Sequence, residues 1–246
     1  MSGSRRYKGI LYIVLSAFCF ALMNLFVRLA GDLPSIQKSF FRNFVAPIFA
    51  CVILLKESVP FRCRKENLKF MLLRSVFGTL GILCNFYAVD HLVLADASML
   101  NKMSPFFAVL FSFLILNEKV KVPQALMVAG AFAGSMFVVK PTLTNMDLVP
   151  SMIGLLGGIG AGAAYTMVRK LGENGEKGPF IVFFFSTFSC LFTLPWLIFD
   201  YHPMSLSQTA ILLMAGIAAA GGQFAITAAY CDAPAREISV YDYSQI

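Results

Sequence analysis

Eight apolar segments, each about 20 residues long, make up most of this sequence. A helix needs about 20 mostly apolar residues to cross the hydrocarbon core of a lipid bilayer. Strands are not expected, because the segments are too long and lack the strict alternation of a membrane β-barrel. The segments lie at residues 9–30, 36–55, 69–89, 94–116, 121–139, 150–169, 179–199 and 208–230, and a ninth begins near Pro234. The sequence therefore predicts an all-α integral membrane protein embedded in a lipid bilayer.

The charged residues indicate how the predicted helices are oriented. They make up only 13% of the sequence, about half their share in soluble proteins. The net charge of +7 comes from short clusters rather than a continuous basic surface, so we expect no nucleic-acid partner. Basic residues gather in alternate loops, at 5–8, 56–69, 119–121, 169–177 and Arg236, whereas the other loops carry only Lys140. Because loops rich in Lys and Arg stay in the cytoplasm, we predict a multi-pass protein of the bacterial plasma membrane with a cytoplasmic N-terminus.

The two halves of the sequence are related by a single offset of 141 residues. "VRLAGD" at 27–32 aligns with "VRKLGE" at 168–173, and the same offset places "AVDHLVLADAS" at 88–98 on "AYCDAPAREIS" at 229–239. Each unit would hold five helices, and because five is odd the second unit must be inverted in the membrane. We therefore predict a first five-helix repeat at residues 1–140 and a second, incomplete repeat at 149–246.

The repeat also predicts where the helices of the second unit should end. Adding the offset to the ends of the fourth and fifth segments, near Leu116 and Val139, gives about 257 and 280. A ten-helix chain would thus have roughly 280–290 residues, and Ile246 would lie within helix 9. Two interpretations stay open: a truncated chain, or a natural short form that ends in a re-entrant segment.

Several stretches resemble the EamA-like branch of the drug/metabolite transporter superfamily. They are "FFRNF" with Arg42, "FYAVDHLVLADASMLNKMSPFFAVL" with Pro105, "ILNEKV" with Glu118, the small-residue helix "VPQALMVAGAFAGSMFVV", and "AAYCDAPAREISVYDYSQI". The resemblance implies ten helices in two inverted repeats, a central cavity, and transport by alternating access. Members of the family move amino acids, nucleotide-linked compounds and other small metabolites, and no motif here selects one of them. Against that expected pattern, the sequence is predicted to depart from the family by lacking the rest of helix 9 and all of helix 10.

Arg42 and Lys102 are cations that lie well inside predicted spans, where each charge is costly and so requires a reason. Arg42 lies roughly 9 Å into the second segment and Lys102 about 10 Å into the fourth, both from the outer side. Ser98, Asn101, Lys102 and Pro105 share one helix face by their spacing. With Asn43 they predict an electropositive cavity for a substrate carboxylate or phosphate. The alternative is that the long side chains reach back to the membrane surface.

The second half of the sequence contributes further candidates. Asp242 is the counterpart of Asn101 under the offset, and we expect it to titrate or to pair with Lys102 or Arg42. Tyr241 and Tyr243 flank it and are expected to line the same site. Asp96 and Glu237 suit either helix capping or proton coupling. Arg74 is expected to reach the lipid surface.

The sequence favours one of three functional classes. The preferred class is a transporter of small metabolites that are amino-acid-like, organic anions or nucleotide-linked; the alternative is a structural or non-functional remnant of one. An enzyme is not expected, because the sequence lacks convergent catalytic groups within the spans. His91 and His202 lie in loops and the six cysteines are scattered, so we expect no metal site and no cofactor. A homodimer that replaces the missing helices is left open.

Overall fold

The computed structural model describes residues 3–139 and 147–245, and all regular structure within them is helical. In this described part, seven helical spans are long and apolar enough to cross a membrane, and one of them, Ala95–Leu116, is interrupted by a turn. This confirms the prediction of an all-α, multi-pass membrane protein. The α-helices are α1 Gly3–Leu29, α2 Ser35–Lys56, α3 Leu68–His91, α4 Leu94–Asn101, α5 Ser104–Leu116, α6 Val122–Val139, α7 Leu148–Glu173, α8 Gly178–Phe199, α9 Leu206–Asp232 and α10 Ala235–Ile238, with 3-10 helices at Lys65–Asn67 and Ser239–Gln245.

Local sequence explains several of the helix boundaries. Gly31 has a φ of +74° and lets the chain reverse between α1 and α2 without steric strain. Ser205 and Gln208 form a capping box at the start of α9, where each side chain bonds to the backbone N–H of the other residue. The helix α6 has 18 residues, Val122–Val139, which agrees with the segment predicted at 121–139.

The segment predicted as one helix at 94–116 is instead two helices, α4 and α5, separated by a turn at Lys102 and Met103. The sequence predicts one continuous helix here, so that prediction is wrong at this turn. Pro105 explains the break, because it has no N–H to donate and its ring clashes with the carbonyl one turn back. The proline lies in the first turn of α5, where a missing N–H is tolerated.

The segment after Pro234 also differs from the prediction of a ninth membrane helix. It forms the four-residue helix α10 and then a 3-10 helix over Ser239–Gln245, while Ile246 lies outside the described residues. The 3-10 segment packs against α1, α5 and α6. Its sequence, SVYDYSQ, is largely polar. Irregular polar backbone at membrane depth is stable only when protein or a water-filled cavity surrounds it, which is its position here.

Three pairs of helices make the most extensive contacts: α1 with α9, α3 with α7, and α2 with α8. Small residues bring the backbones together. A side chain added at Gly81 of α3 would lie 3.2 Å from the carbonyl oxygen of Gly157 in α7. On the other side of the bundle, the Ser16 hydroxyl of α1 donates to the carbonyl of Gly222 in α9 at 3.1 Å. Such close approach is how helices associate in lipid, where no hydrophobic force holds them together.

The two ends of the bundle differ. At the end where α1 meets α2, a cavity opens between the helices; we call this the open end. At the opposite end, large buried apolar side chains fill the centre, and we call this the closed end. Those side chains are Ile13, Leu54, Met71, Leu171, Ile181 and Ile226. The chain therefore encloses a cavity that is accessible from one end.

Candidate functional site

The cavity has a volume of about 840 Å³, within the range usual for small-molecule sites. Its wall is formed by α1, α2, α3, α4, the start of α5, α7, α8, α9 and the 3-10 helix Ser239–Gln245. The polar side chains that line its deeper part are Arg42, Arg74, Lys102, Tyr165, Gln223 and Asp242. Arg28, Asp32 and Lys38 line its rim. A mixed wall of this kind can hold a charged organic molecule.

Arg42 projects from α2 into the cavity and is only 6% exposed. Its Nε donates to the Met23 sulfur and its Nη1 to Oδ1 of Asn43, both at 3.0 Å. Its guanidinium carbon lies 5.7 Å from the centre of the Phe20 ring. These contacts fix the side chain within the bundle, so the structure does not place Arg42 at the membrane surface.

Asn43 does not line the cavity, but its Oδ1 accepts the hydrogen bond that Nη1 of Arg42 donates. Its amide nitrogen donates to the carbonyl of Ser39 at 3.1 Å and to the hydroxyl of Ser189 at 3.0 Å. The second bond connects α2 to α8 and orients the amide so that its oxygen faces Arg42. Asn43 therefore supports Arg42 in this structure, while its expected contact with substrate stays a prediction.

Arg74 lies in the cavity wall, not at the lipid surface as the sequence predicts. It is 2% exposed, its Nη2 donates to Oε1 of Gln223 at 3.1 Å, and its guanidinium stacks 3.9 Å from the Phe185 ring centre. Its Nε is buried without a hydrogen-bond partner in the described part of the chain. Gly78 makes this inward position possible, since any side chain there would overlap Nη1 of Arg74. Glycine one helical turn after an arginine is the sequence signal that could have revealed it.

Lys102 lies at the break between α4 and α5 and pairs with Asp242. Its Nζ is 3.6 Å from Oδ2 of Asp242 and donates to the Asp242 carbonyl at 3.1 Å and to Gln245 Oε1 at 2.6 Å. In return, the Tyr243 hydroxyl donates to the carbonyl of Lys102 at 2.9 Å, which satisfies backbone exposed by the break. Of the two partners considered for Asp242, the structure selects Lys102.

The remaining candidates fall into two groups. Ser98 and Asn101 line the cavity beside Lys102, as their helix face predicts. Pro105 and Tyr243 are buried next to it, where one breaks the helix and the other bonds the freed backbone. Tyr241 is 37% exposed and is not among the described residues that line the cavity, so its expected place in the site stays a prediction.

Below the cavity, a second set of contacts seals the closed end. Tyr165 stacks on Tyr230 with ring centres 5.0 Å apart. Arg169 of α7 bonds Oε1 of Glu118 at 3.0 Å and the carbonyl of Cys231 at 3.2 Å. These bonds connect the end of α5 with α7 and α9, so the closed end is held by polar contacts as well as by apolar packing.

Comparisons with known proteins agree with this architecture. The EamA-like transporter family matches residues 7–140, which confirms the resemblance found in the sequence. The pseudopaline exporter of Pseudomonas aeruginosa is 32% identical over 238 residues, covering 96% of this chain and 83% of the exporter. The riboflavin transporter of Vibrio cholerae is 26% identical, covering 97% of this chain and 81% of its own.

A solved crystal structure supports the fold independently of sequence. It matches with a TM-score of 0.82 over 100% of this chain and 86% of its own length, at 14% sequence identity. At that identity the match concerns the fold alone. The family match covers more than half of the sequence and the exporter aligns along nearly all of it. The chain therefore belongs to the EamA-like transporter family of multi-pass membrane proteins.

Proposed function

We propose that this chain moves a small organic anion or zwitterion across the plasma membrane by alternating access through the central cavity. The observation that carries the proposal is the buried guanidinium of Arg42 on the wall of that cavity, inside a bundle of spanning helices. A fixed guanidinium is suited to a carboxylate or phosphate, which it can bind through two parallel hydrogen bonds. Amino-acid-like, organic-anion and nucleotide-linked metabolites all carry such a group.

The orientation belongs to the same proposal. The basic clusters at 56–69 and 169–177 lie at the closed end of the bundle, together with the start of α1. The preference of Lys and Arg for cytoplasmic loops then places the closed end in the cytoplasm and the open end at the cell exterior. Cysteines introduced at Asp90 and Asp232, each in an otherwise cysteine-free chain, should react from opposite sides with a membrane-impermeant maleimide. Reaction of both from one side would overturn this orientation and the repeat together.

The inverted repeat is supported by which helices pack together. A two-fold axis in the membrane plane would exchange α1 with α7 and α3 with α9, so it converts the α1–α9 contact into the α7–α3 contact. Both are among the most extensive in the bundle. The offset that relates the two halves also carries Ser16 to Gly157 and Gly81 to Gly222, which are the residues in close contact at these two interfaces.

The cavity wall follows the same offset. Six pairs of wall residues are separated by 141 positions: Phe20 and Ala161, Met23 and Ala164, Asn24 and Tyr165, Ile82 and Gln223, Asn101 and Asp242, and Ser104 and Gln245. A wall built from equivalent positions of two inverted units is the arrangement that alternating access requires, because rocking one unit against the other exposes the same wall to each side in turn.

Transport through the cavity requires the closed end to open. The Glu118–Arg169 ion pair and the Arg169 bond to Cys231 must break for substrate to pass toward that end. At the open end, Lys38 lies 3.8 Å from Asp90, so polar contacts between neighbouring helices exist there too. Closure of that end would complete the cycle.

The test compares the native chain with an Arg42→Ala variant. Cells with each chain, and cells without the gene, are compared by untargeted metabolite profiling, and the compounds that change are then measured in uptake and efflux assays. Arg42→Ala should abolish movement of an anionic or zwitterionic compound while the amount of protein in the membrane stays the same. Arg62→Ala, in an exposed loop away from the cavity, is the matched control for loss of one arginine.

Two outcomes would contradict the proposal. If the native chain alters no metabolite and moves none in the assays, a structural or non-functional remnant becomes the better interpretation. If Arg42→Ala lowers membrane abundance as much as activity, the residue serves folding and does not bind substrate. A homodimer remains a prediction, which the mass of the purified chain in detergent would test.

A further inference from the structure

Within the part of the chain that the structure describes, the two buried arginines of the cavity have only uncharged partners. The described contacts of Arg42 are the Met23 sulfur, the Asn43 amide oxygen and the Phe20 ring. Those of Arg74 are the Gln223 amide oxygen and the Phe185 ring. No carboxylate in residues 3–139 or 147–245 forms an ion pair with either guanidinium. A thioether is a weak acceptor, and Nε of Arg74 has no acceptor among the described residues.

The other charges of the wall do not compensate for this. Asp242 is the buried acid that lines the cavity in the described part of the chain, and it pairs with Lys102. Lys38 of the rim pairs with Asp90, and Arg28 and Asp32 are exposed. The buried wall thus carries three cations and one anion, and the two positive charges left over are those of Arg42 and Arg74.

These two charges lie in the wall of one cavity, so they repel each other, and Tyr165 lines the same cavity. A guanidinium stays protonated in proteins, so neutralisation by proton loss is not available. Burial of one unpaired charge is unfavourable, and two like charges in a common low-dielectric site are more so. Such an arrangement is stable in the ligand-bound state if the ligand supplies two negative charges.

We infer that the cavity binds a small organic dianion, a dicarboxylate or a phosphate monoester, with its charges between Arg42 and Arg74. This rests on the proposed transport function and adds the charge of the substrate. Arg42 comes from α2 and Arg74 from α3, so the dianion joins two helices of the first half. The Tyr165 hydroxyl and the Gln223 amide supply uncharged hydrogen-bonding groups from the second half. Lys102 contributes no excess positive charge to the cavity, because its charge is neutralised by Asp242.

The experiment measures ligand-induced thermal stabilisation of the purified full chain in a neutral detergent. The probes are succinate, its monoamide succinamate and its diamide succinamide, which have almost the same shape but two, one and no charges at about pH 7.5. Glycerol 3-phosphate tests the phosphate monoester, and ionic strength is held constant. One additional charge-assisted contact is worth at least about tenfold in affinity, so succinate should bind about tenfold or more tightly than succinamate.

Variants of Arg74 test whether this residue binds the second carboxylate of succinate. Arg74→Gln should reduce the affinity for succinate to that for succinamate and leave succinamate binding nearly unchanged. Arg74→Lys keeps the charge without the planar fork and should retain part of the preference, which guards against a folding effect of the glutamine variant. Arg62→Gln is the control. Each variant must elute as a single species and unfold cooperatively without ligand.

Several results would overturn the inference. They are equal affinity for succinate and succinamate, an unchanged preference in Arg74→Gln, or two succinamate ions bound cooperatively in place of one succinate. Stabilisation by none of the anions up to about 10 mM, above the ordinary range of substrate affinities, would overturn it as well. If succinamate binds as tightly as succinate and Arg42→Ala still abolishes transport, only this inference fails. If Arg42→Ala transports normally, the proposed function fails.

Discussion

Removal of Lys102 should destabilise the protein strongly, unless Asp242 is neutralised at the same time. The two side chains are each 8% exposed, and Nζ of Lys102 makes three contacts with the segment Ser239–Gln245. Removing one partner of a buried ion pair costs about 3–5 kcal/mol, because the other charge stays buried without compensation. Since this pair lines an open cavity, water can approach it, and we expect the lower value.

The expected effect can be converted into a melting temperature. A loss of about 3 kcal/mol corresponds to roughly 6–12 °C in a chain of this size. Lys102→Met and Asp242→Asn should each show such a loss, whereas the double variant should lose far less than the sum. The measurement is thermal unfolding of the purified chain in one detergent, followed by fluorescence-detected gel filtration. One heating rate is used throughout, because membrane proteins often unfold irreversibly.

The stability loss of the double variant, compared with the sum of the two single losses, decides whether Lys102 and Asp242 interact. Side chains that interact should give a coupling energy of about 2 kcal/mol, whereas independent side chains add within about 0.5 kcal/mol. If the double variant loses as much as both single variants together, the ion pair does not hold the segment in place. Lys102 would then count as a third uncompensated cation of the cavity, and the assignment of two charges to the substrate would have to be revised.

Two further predictions concern packing and opening. Gly162→Val should lower the melting temperature by roughly 2–10 °C. The reason is that the new Cβ would lie 2.6 Å from the Phe107 Cβ and 2.8 Å from a backbone nitrogen of α5. The control is Gly130→Val, which should change the melting temperature little, because its Cβ would meet nothing within 4 Å in the described part of the chain. Glu118→Gln removes the ion pair with Arg169 at the closed end, which should shift the equilibrium toward opening of that end by about 1 kcal/mol. In a chain that lacks its other cysteines, Cys231 should then react about fivefold faster with a maleimide applied to that side. Unchanged rates would show that this pair does not hold the end closed.

The sequence predicted the helices well, because helix length in a membrane is set by bilayer thickness and can be counted directly. It also predicted that Arg42, Ser98, Asn101 and Lys102 share a cavity, since buried charges are rare enough to stand out. The break at Lys102 was underestimated. A proline predicts loss of a hydrogen bond, but whether the helix kinks or separates depends on what neighbouring segments offer the freed backbone, and here Tyr243 offers a hydroxyl.

Arg74 shows what the sequence could not supply. Its depth in α3 is known from counting residues, but the direction in which a helix presents a side chain depends on which helices surround it. Arg74 bonds Gln223 of α9 rather than facing lipid, because α3 packs against α7 and α8 inside the bundle. Only Gly78 hinted at this, by leaving space for the guanidinium one turn away.

The chemistry of the cavity is divided unequally between the two halves. The buried cations Arg42, Arg74 and Lys102 all come from the first half, and the offset of 141 residues carries them to Phe183, Ala215 and Tyr243. The acid Asp242 comes from the second half. On the inverted-repeat proposal, the backbone is duplicated while the charges are not. Two inverted units of equal shape would supply the two end states of the cycle, and a cation cluster that stays on one unit would keep hold of the anion while the other unit moves. The double variant Arg74→Ala with Ala215→Arg moves one of these charges to the second half. It should therefore fail to restore the transport that Arg74→Ala loses, even where the double variant folds.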